Sequence, residues 1–162
     1  RFEPMPMVTY FENQLIKAEA AARTSGFSSG LSHLNDYRSW LASGGRINDA
    51  FNDSASMMYE AYDAADFDSG GMENSDGVSA ETALLREIIE ERYVSGFGTY
   101  MPFNDHRRLR GDGESNLVPA FPLNTNAATD HVERIPYAQD ELTSNSTVDD
   151  DPGLYVKTEV NQ

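Results

Sequence analysis

The chain contains no cysteine among its 162 residues. Disulfide bonds, a thiolate nucleophile and cysteine-ligated zinc sites are therefore excluded for this sequence. It also has no apolar run close to the ~18 residues that a membrane-spanning helix requires, and no N-terminal segment of signal-peptide type. Because it opens with Arg1-Phe2-Glu3-Pro4 rather than an initiator methionine, we expect it to be a piece cut from a longer protein.

Basic residues are scarce. Lys and Arg total 12 against 27 Asp and Glu, which gives a net charge of −15. A surface this acidic argues against nucleic acid as a partner and against direct attraction to anionic membranes. Hydrophobic residues make up 39% of the chain, which is a globular composition. We therefore expect one domain over residues 1–162, large enough to bury a core.

Two helices are predicted in the first quarter of the chain. Apolar residues recur at helical spacing from about Val8, with Glu19 as an interruption, until Thr24-Ser25-Gly26 stops the helix. A second helix fits residues 28–42 and ends at Ser43-Gly44-Gly45. Two helices joined by a tight glycine turn predict a helical hairpin of tetratricopeptide size. An alternative function follows from it, a scaffold that binds a protein or peptide partner in an exposed apolar groove lined by Leu15, Leu31 and Leu34.

Residues 46–78 form an acidic stretch in which we expect a long loop, broken only by a short helix around residues 55–65. Exposed aromatic rings stack on the apolar faces of sugars, and amides bond sugar hydroxyls. The candidate ligand-binding residues in this stretch are therefore Tyr59, Tyr62, Phe67 and Asn52. Phe67, placed in the loop, is expected to be the hardest of the four to bury.

A calcium site is a minor alternative for the same loop. Asp66 and Asp68 open a run that has Gly71 at the sixth position, as in an EF-hand loop. The twelfth position is Gly77, where such a loop needs a bidentate Glu, so a solvated acidic loop is favoured. The three histidines do not form an HExxH pattern, and we predict no other metal and no cofactor.

The strongest helical signal covers residues 79–95. Ser79 is a good N-cap, and Arg86 stands four residues before Glu90, where the two side chains are expected to pair. The carboxylates of this helix suggest a glycosidase pair, but we expect them on its solvated flank or bonded to Arg92; they are Glu87, Glu90 and Glu91. We therefore predict no catalytic residue in this chain.

A shorter helix is expected over residues 103–109, and the polar cluster Asp105-His106-Arg107-Arg108 within it is interpreted as structural. Four prolines beyond Gly111 disfavour long regular elements, so residues 111–162 are predicted to be mostly irregular. The expected fold is mainly α, a tetratricopeptide-like hairpin scaffold followed by a loop-rich C-terminal region.

Three blocks in this order resemble the C-terminal part of the SusD/RagB family of outer-membrane nutrient-binding lipoproteins. The first is Val8 to Ala20, ending in Ala18-Glu19-Ala20, followed by Leu34-Asn35-Asp36-Tyr37-Arg38. The second runs from Ile88 through Gly96-Phe97-Gly98 to Asp105-His106-Arg107-Arg108. The third is Arg134-Ile135-Pro136-Tyr137-Ala138-Gln139-Asp140-Glu141.

The resemblance implies a non-catalytic protein that binds oligosaccharides, or sometimes peptides, at the cell surface. It implies a SusC-like TonB-dependent transporter as partner and an outer-membrane location. Attachment would be through an N-terminal lipid, on a cysteine outside this chain. It also implies that part of the ligand surface is built by residues outside the present chain.

Overall fold

Helices make up most of the described chain. The computed structural model describes residues 8–45, 59–119, 130–148 and 150–158. Within these ranges the α-helices are α1 (Tyr10–Ser25), α2 (Phe27–Ala42), α3 (Ala80–Ser95), α4 (Met101–Gly111) and α5 (Gln139–Ser144), and two short 3-10 helices cover Ala64–Phe67 and Ser115–Leu117. The prediction of a mainly α protein is confirmed. The first three helices begin and end within two residues of their expected limits.

The hairpin of α1 and α2 is set by local signals. The Oγ1 of Thr9 accepts a hydrogen bond from the backbone N–H of Glu12 at 3.3 Å, which caps α1. Gly26 has a φ of 89°, a conformation that glycine adopts without strain, and it separates the two helices. At Gly30 a Cβ would lie 2.5 Å from the Cβ of Ala22, so the helices approach more closely than a larger residue allows.

The chain divides into two compact units, which are described separately. The first consists of Arg1–Pro102 with Asn116–Pro119, and the second of Phe103–Ser115 with Ala120–Gln162. In the first unit α1 packs against α2 and α3, and α2 also contacts α3. A single domain over the whole chain stays a prediction.

The core of the first unit is formed by the facing sides of these three helices, with Phe67 and Met101 added from neighbouring segments. Its buried apolar side chains are Phe11, Leu15, Ala18, Leu34, Tyr37, Leu41, Phe67, Ala83, Leu84, Ile88 and Met101. Leu15 and Leu34 have no solvent exposure, and Leu31 packs partly buried against the cluster. The exposed apolar groove expected along these leucines is therefore absent, because this face of the hairpin packs against α3.

Two polar contacts cross this core. Glu19 and Arg92 are 6% and 8% exposed, and an Arg92 guanidinium nitrogen lies 3.2 Å from the Glu19 Oε2. The Tyr37 hydroxyl lies 2.8 Å from the Ser95 Oγ. Glu19 can therefore stand in the apolar stripe of α1 because Arg92, 73 residues further along the chain, pairs with its buried carboxylate.

The loop before α3 differs from its prediction in two ways. Residues 59–63 are not helical, and the helical turn lies at Ala64–Phe67; residues 55–58 lie outside the described ranges. Phe67, expected to be exposed, is fully buried and meets the rings of Phe27 and Tyr62 edge-on at 5.6 and 5.4 Å. Burial of this large apolar ring stabilises the attachment of the loop to the core.

In the second unit, the arginines of α4 pair within the helix and with two later segments of the chain. Arg108 lies 3.1 Å from Asp105, and Arg110 lies 2.9 Å from Glu133. Arg107 donates to the Thr158 hydroxyl at 3.1 Å. These contacts agree with a structural role for the polar cluster.

The C-terminal segments are short, as their prolines predict. The described parts of residues 111–162 contain the 3-10 helix at Ser115–Leu117 and α5, and the remainder is irregular. None of the described helices combines the length and apolar composition needed to cross a bilayer.

Candidate functional site

A surface groove of about 270 Å³ lies in the first unit, where the loop before α3 passes α2 and α3. Its walls combine aromatic rings, carboxylates and one guanidinium group. We call it the Tyr62 groove; its lining residues are Arg38, Tyr59, Tyr62, Glu73, Glu87, Glu90, Glu91 and Val94. It brings together two of the residues predicted to bind a ligand, Tyr59 and Tyr62.

The backbone of Tyr62 is fixed by one side chain of α2. The Asn35 amide nitrogen donates to the Tyr62 carbonyl at 2.9 Å, and the Tyr62 N–H donates to the Asn35 Oδ1 at 2.9 Å. The ring of Tyr62 meets buried Phe67 edge-on. Because both the backbone and the ring are held, the groove wall is preformed.

Arg38, one turn further along α2, also contacts the loop before α3. Its Nε donates to the Glu60 carbonyl at 2.7 Å, and its guanidinium carbon lies 3.9 Å from the centre of the Tyr62 ring. The same guanidinium pairs with Glu91 of α3 at 3.5 Å. A cation over an aromatic face is attracted by the ring quadrupole, so Arg38 ties the loop to both helices.

Glu87 is the most perturbed acid of the groove. It is 8% exposed, and its Oε1 accepts a hydrogen bond from the Tyr62 hydroxyl at 2.8 Å. Burial, together with the negative charges of Glu73, Glu90 and Glu91, raises the pKa of Glu87 to about 7, although the Tyr62 hydrogen bond lowers it. Burial and the Glu87 carboxylate also raise the pKa of the Tyr62 hydroxyl. Near neutral pH, Glu87 therefore exchanges between its neutral and charged forms.

The carboxylates of α3 do not lie where the helical pattern placed them. Glu87 and Glu91 are buried rather than on a solvated flank, and only Glu90 of the three is exposed. Glu91 pairs with Arg38, a residue of α2 that local spacing does not reveal.

The arginines of α3 have partners outside their own helix. Arg92 pairs with Glu19 of α1. Arg86 pairs with Asp76 at 2.6 Å and donates to the Asn116 carbonyl at 3.0 Å, instead of pairing with Glu90. The prediction of the Arg86–Glu90 pair is wrong because the loop before α3 places the carboxylate of Asp76 beside Arg86.

The four candidate ligand residues have different outcomes. Tyr59 is 41% exposed and Tyr62 is half-buried, and both line the groove. Phe67 is a core residue that supports the ring of Tyr62, so its selection as a ligand contact was wrong. Asn52 lies outside the described residues.

The calcium alternative finds no support in the loop. The Asp66 Oδ2 accepts the backbone N–H of Asp63 at 2.8 Å, which closes a capping box, and Asp68 is exposed. The carbonyls of Asp66 and Asp68 accept backbone N–H groups of Glu73 and Gly71. Across the described part of the chain, no three Asp, Glu or His side chains are placed to hold a metal ion.

Sequence reasoning did not select Asn35, Arg38 or Glu73 for the site. Asn35 and Arg38 stand three residues apart on α2, so both can face the same loop. Because α2 contains several other polar residues, among them His33 and Asp36, this spacing does not by itself distinguish Asn35 and Arg38. Glu73 follows the loop's turn, and nothing in its surroundings along the chain distinguishes it from the other acids there.

Comparison of the chain with protein-family models, with curated proteins and with solved structures gives no significant match.

Proposed function

We propose that this protein is a non-catalytic oligosaccharide-binding component of a nutrient-uptake system at the cell surface. The observation that carries the proposal is the Tyr62 groove, in which an exposed tyrosine ring stands beside hydrogen-bonding carboxylates. A flat ring contacts the apolar face of a pyranose, and fixed polar groups bond its hydroxyls. The groove has the composition that such recognition needs.

The three sequence blocks support the scaffold, the cellular location and the partner in this proposal. Their resemblance to the SusD/RagB family implies a tetratricopeptide-like, SusD-like scaffold at the outer membrane, with a lipid anchor outside this chain. It also implies a SusC-like TonB-dependent transporter as partner. In the block Leu34 to Arg38, Asn35 and Arg38 are the two side chains that hold the groove loop. Two residues of one resembling block thus contact the loop that lines the proposed site.

Glycoside hydrolysis is the competing function that Glu87 raises, since a carboxyl with a pKa near 7 in a groove suits a general acid. A glycosidase needs two carboxyl groups that flank the scissile bond. Glu87 and Glu91 stand four residues apart on one helix and therefore lie side by side on the same face. Arg38 also engages Glu91. We therefore propose binding without hydrolysis.

The proposal is tested by affinity gel electrophoresis and calorimetry with a panel of plant, fungal and bacterial glycans. At least one oligosaccharide should bind, and Tyr59→Ala should weaken that binding by about tenfold, the loss of an aromatic contact at the centre of a site. Tyr100→Ala is the matched control, because Tyr100 is also an exposed tyrosine but does not line the groove.

Two results would contradict the proposal. One is that no glycan binds while peptides do, and the other is that both tyrosine variants weaken glycan binding equally. Release of shorter sugars from any bound glycan, lost in Glu87→Gln, would replace binding by catalysis.

A further inference from the structure

Acidic side chains outnumber basic ones among the described residues that line the Tyr62 groove. Four carboxylates line it, and among its described lining residues Arg38 is the single cation. That cation is already engaged with Glu91, with the Glu60 carbonyl and with the Tyr62 ring. Like charges held together in a partly buried site repel one another, so the groove favours an incoming positive group.

Glu87 points to where such a group would bind. Although it is 8% exposed, it receives one hydrogen bond, on Oε1 from the neutral Tyr62 hydroxyl. From the described part of the chain no donor reaches its second oxygen. A buried carboxyl has room for several donors, and a charged donor forms the strongest hydrogen bond to it.

The form of the groove favours an organic cation over a metal ion. No described group of three acidic or histidine side chains is suited to metal binding, whereas the carboxylates are spread along a groove of about 270 Å³. Tyr59, which is 41% exposed, adds an aromatic ring beside them. A ring-shaped ligand with an ammonium substituent would place its flat side on Tyr59 and its charge near Glu87 and Glu73.

We propose that the Tyr62 groove selects oligosaccharides that carry protonated amino groups, such as 2-amino-2-deoxy sugar units, over neutral and acidic ones. This inference rests on the proposed function and names its substrate class. The bound ammonium group replaces the missing counter-charge among Glu73, Glu87 and Glu90. It relieves the repulsion and burial that hold the pKa of Glu87 near 7, and Glu87 binds it in the charged form.

Calorimetry with the full chain, at about pH 6 where sugar amines are protonated and at low salt, tests the proposal. The probes are three β-1,4 or α-1,4 tetrasaccharides of one length: glucosamine, N-acetylglucosamine and galacturonic acid. The glucosamine tetramer should bind at least about tenfold more tightly than the N-acetylated one, equivalent to about 1.4 kcal/mol. The galacturonate tetramer should bind most weakly.

Three variants locate the effect. Glu87→Gln keeps an acceptor for Tyr62, so the fold is retained, and Glu73→Gln changes a carboxylate of the loop. Each should weaken glucosamine binding by about tenfold, with the affinity for the N-acetylated tetramer unchanged. Glu81→Gln removes the same charge from an exposed position of α3 that does not line the groove, and should leave both affinities unchanged.

The outcomes separate this inference from the proposed function. Equal affinity for the glucosamine and N-acetylglucosamine tetramers would overturn amine selection and leave oligosaccharide binding standing. Binding of none of the three tetrasaccharides by a folded protein would overturn the inference, and binding of no glycan of the wider panel would overturn the proposed function as well. Binding of tetralysine as tightly as the glucosamine tetramer, unaffected by Glu87→Gln, would show attraction to overall charge and would also overturn the inference.

Discussion

Ionisation of Glu87 should oppose folding, and replacing it by Gln should remove that opposition. Each unit of pKa difference is worth about 1.4 kcal/mol. The pKa of Glu87 rises from 4.5 to about 7 in the folded protein, so ionising the group costs about 3 kcal/mol more in the folded state than in the unfolded chain. Gln keeps the oxygen that accepts the Tyr62 hydrogen bond and carries no proton to lose.

The sign follows from proton counts. Between pH 4.5 and about 7 the folded protein holds the Glu87 proton while the unfolded chain has released it, so the wild-type free energy of unfolding falls as pH rises through this window. The Glu87→Gln variant lacks this contribution. The free energy of unfolding of the variant, relative to that of the wild type, should therefore increase by about 3 kcal/mol as the pH is raised from below 4.5 to above 7.

Urea denaturation followed by circular dichroism, repeated across this pH range, measures the difference. Because all other acids are common to both proteins, their contributions cancel. Glu81→Gln on the same helix controls for the loss of one negative charge. The Glu87 carboxyl carbon, followed by NMR, should titrate with a midpoint near 7. A stability difference between Glu87→Gln and wild type that stays constant with pH would refute this account of the groove.

Two further predictions concern packing. Phe67→Ala should lower the free energy of unfolding by about 3–5 kcal/mol, because a fully buried ring is lost. The control Phe97→Ala, at a ring that is 82% exposed, should change it by less than about 0.5 kcal/mol. Equal effects of the two variants in urea denaturation would contradict the burial of Phe67. Gly30→Ala should destabilise by about 1 kcal/mol or more, although alanine is normally the better helix former, because its Cβ would lie 2.5 Å from that of Ala22. Ser32→Ala, exposed on the same helix, should be neutral or stabilising by thermal unfolding, and a stabilising Gly30→Ala would show that α1 and α2 are further apart.

The helices could be predicted because their limits depend on neighbours in the chain. Gly26 ends one helix and Ser79 begins another through backbone conformation and a single capping bond. Such signals are complete within a few residues. The pairing of Arg38 with Glu91 is not, since it joins residues on different helices that only the packing of α2 on α3 brings together.

The candidate site was predictable only in part for the same reason. Tyr59 and Tyr62 were selected because aromatic residues in a polar loop are conspicuous. Phe67 stands in the same loop with the same chemistry, and no local feature says that its ring turns into the core while Tyr59 stays exposed. The charge of the groove also depends on Glu73, Glu87 and Glu90 meeting in space, which the chain order does not specify.

The buried pair of Glu19 and Arg92 has a consequence for how α1 and α3 find each other. If α1 docked one turn out of place, Arg92 would be separated from Glu19, which would keep the contact with Arg23 of its own helix. Breaking a buried ion pair in this way costs several kcal/mol. Leucine and alanine contacts alone distinguish such neighbouring alignments weakly, because one apolar side chain replaces another with little loss. We infer that the pair contributes little net stability but makes misaligned packing of α1 against α3 unfavourable.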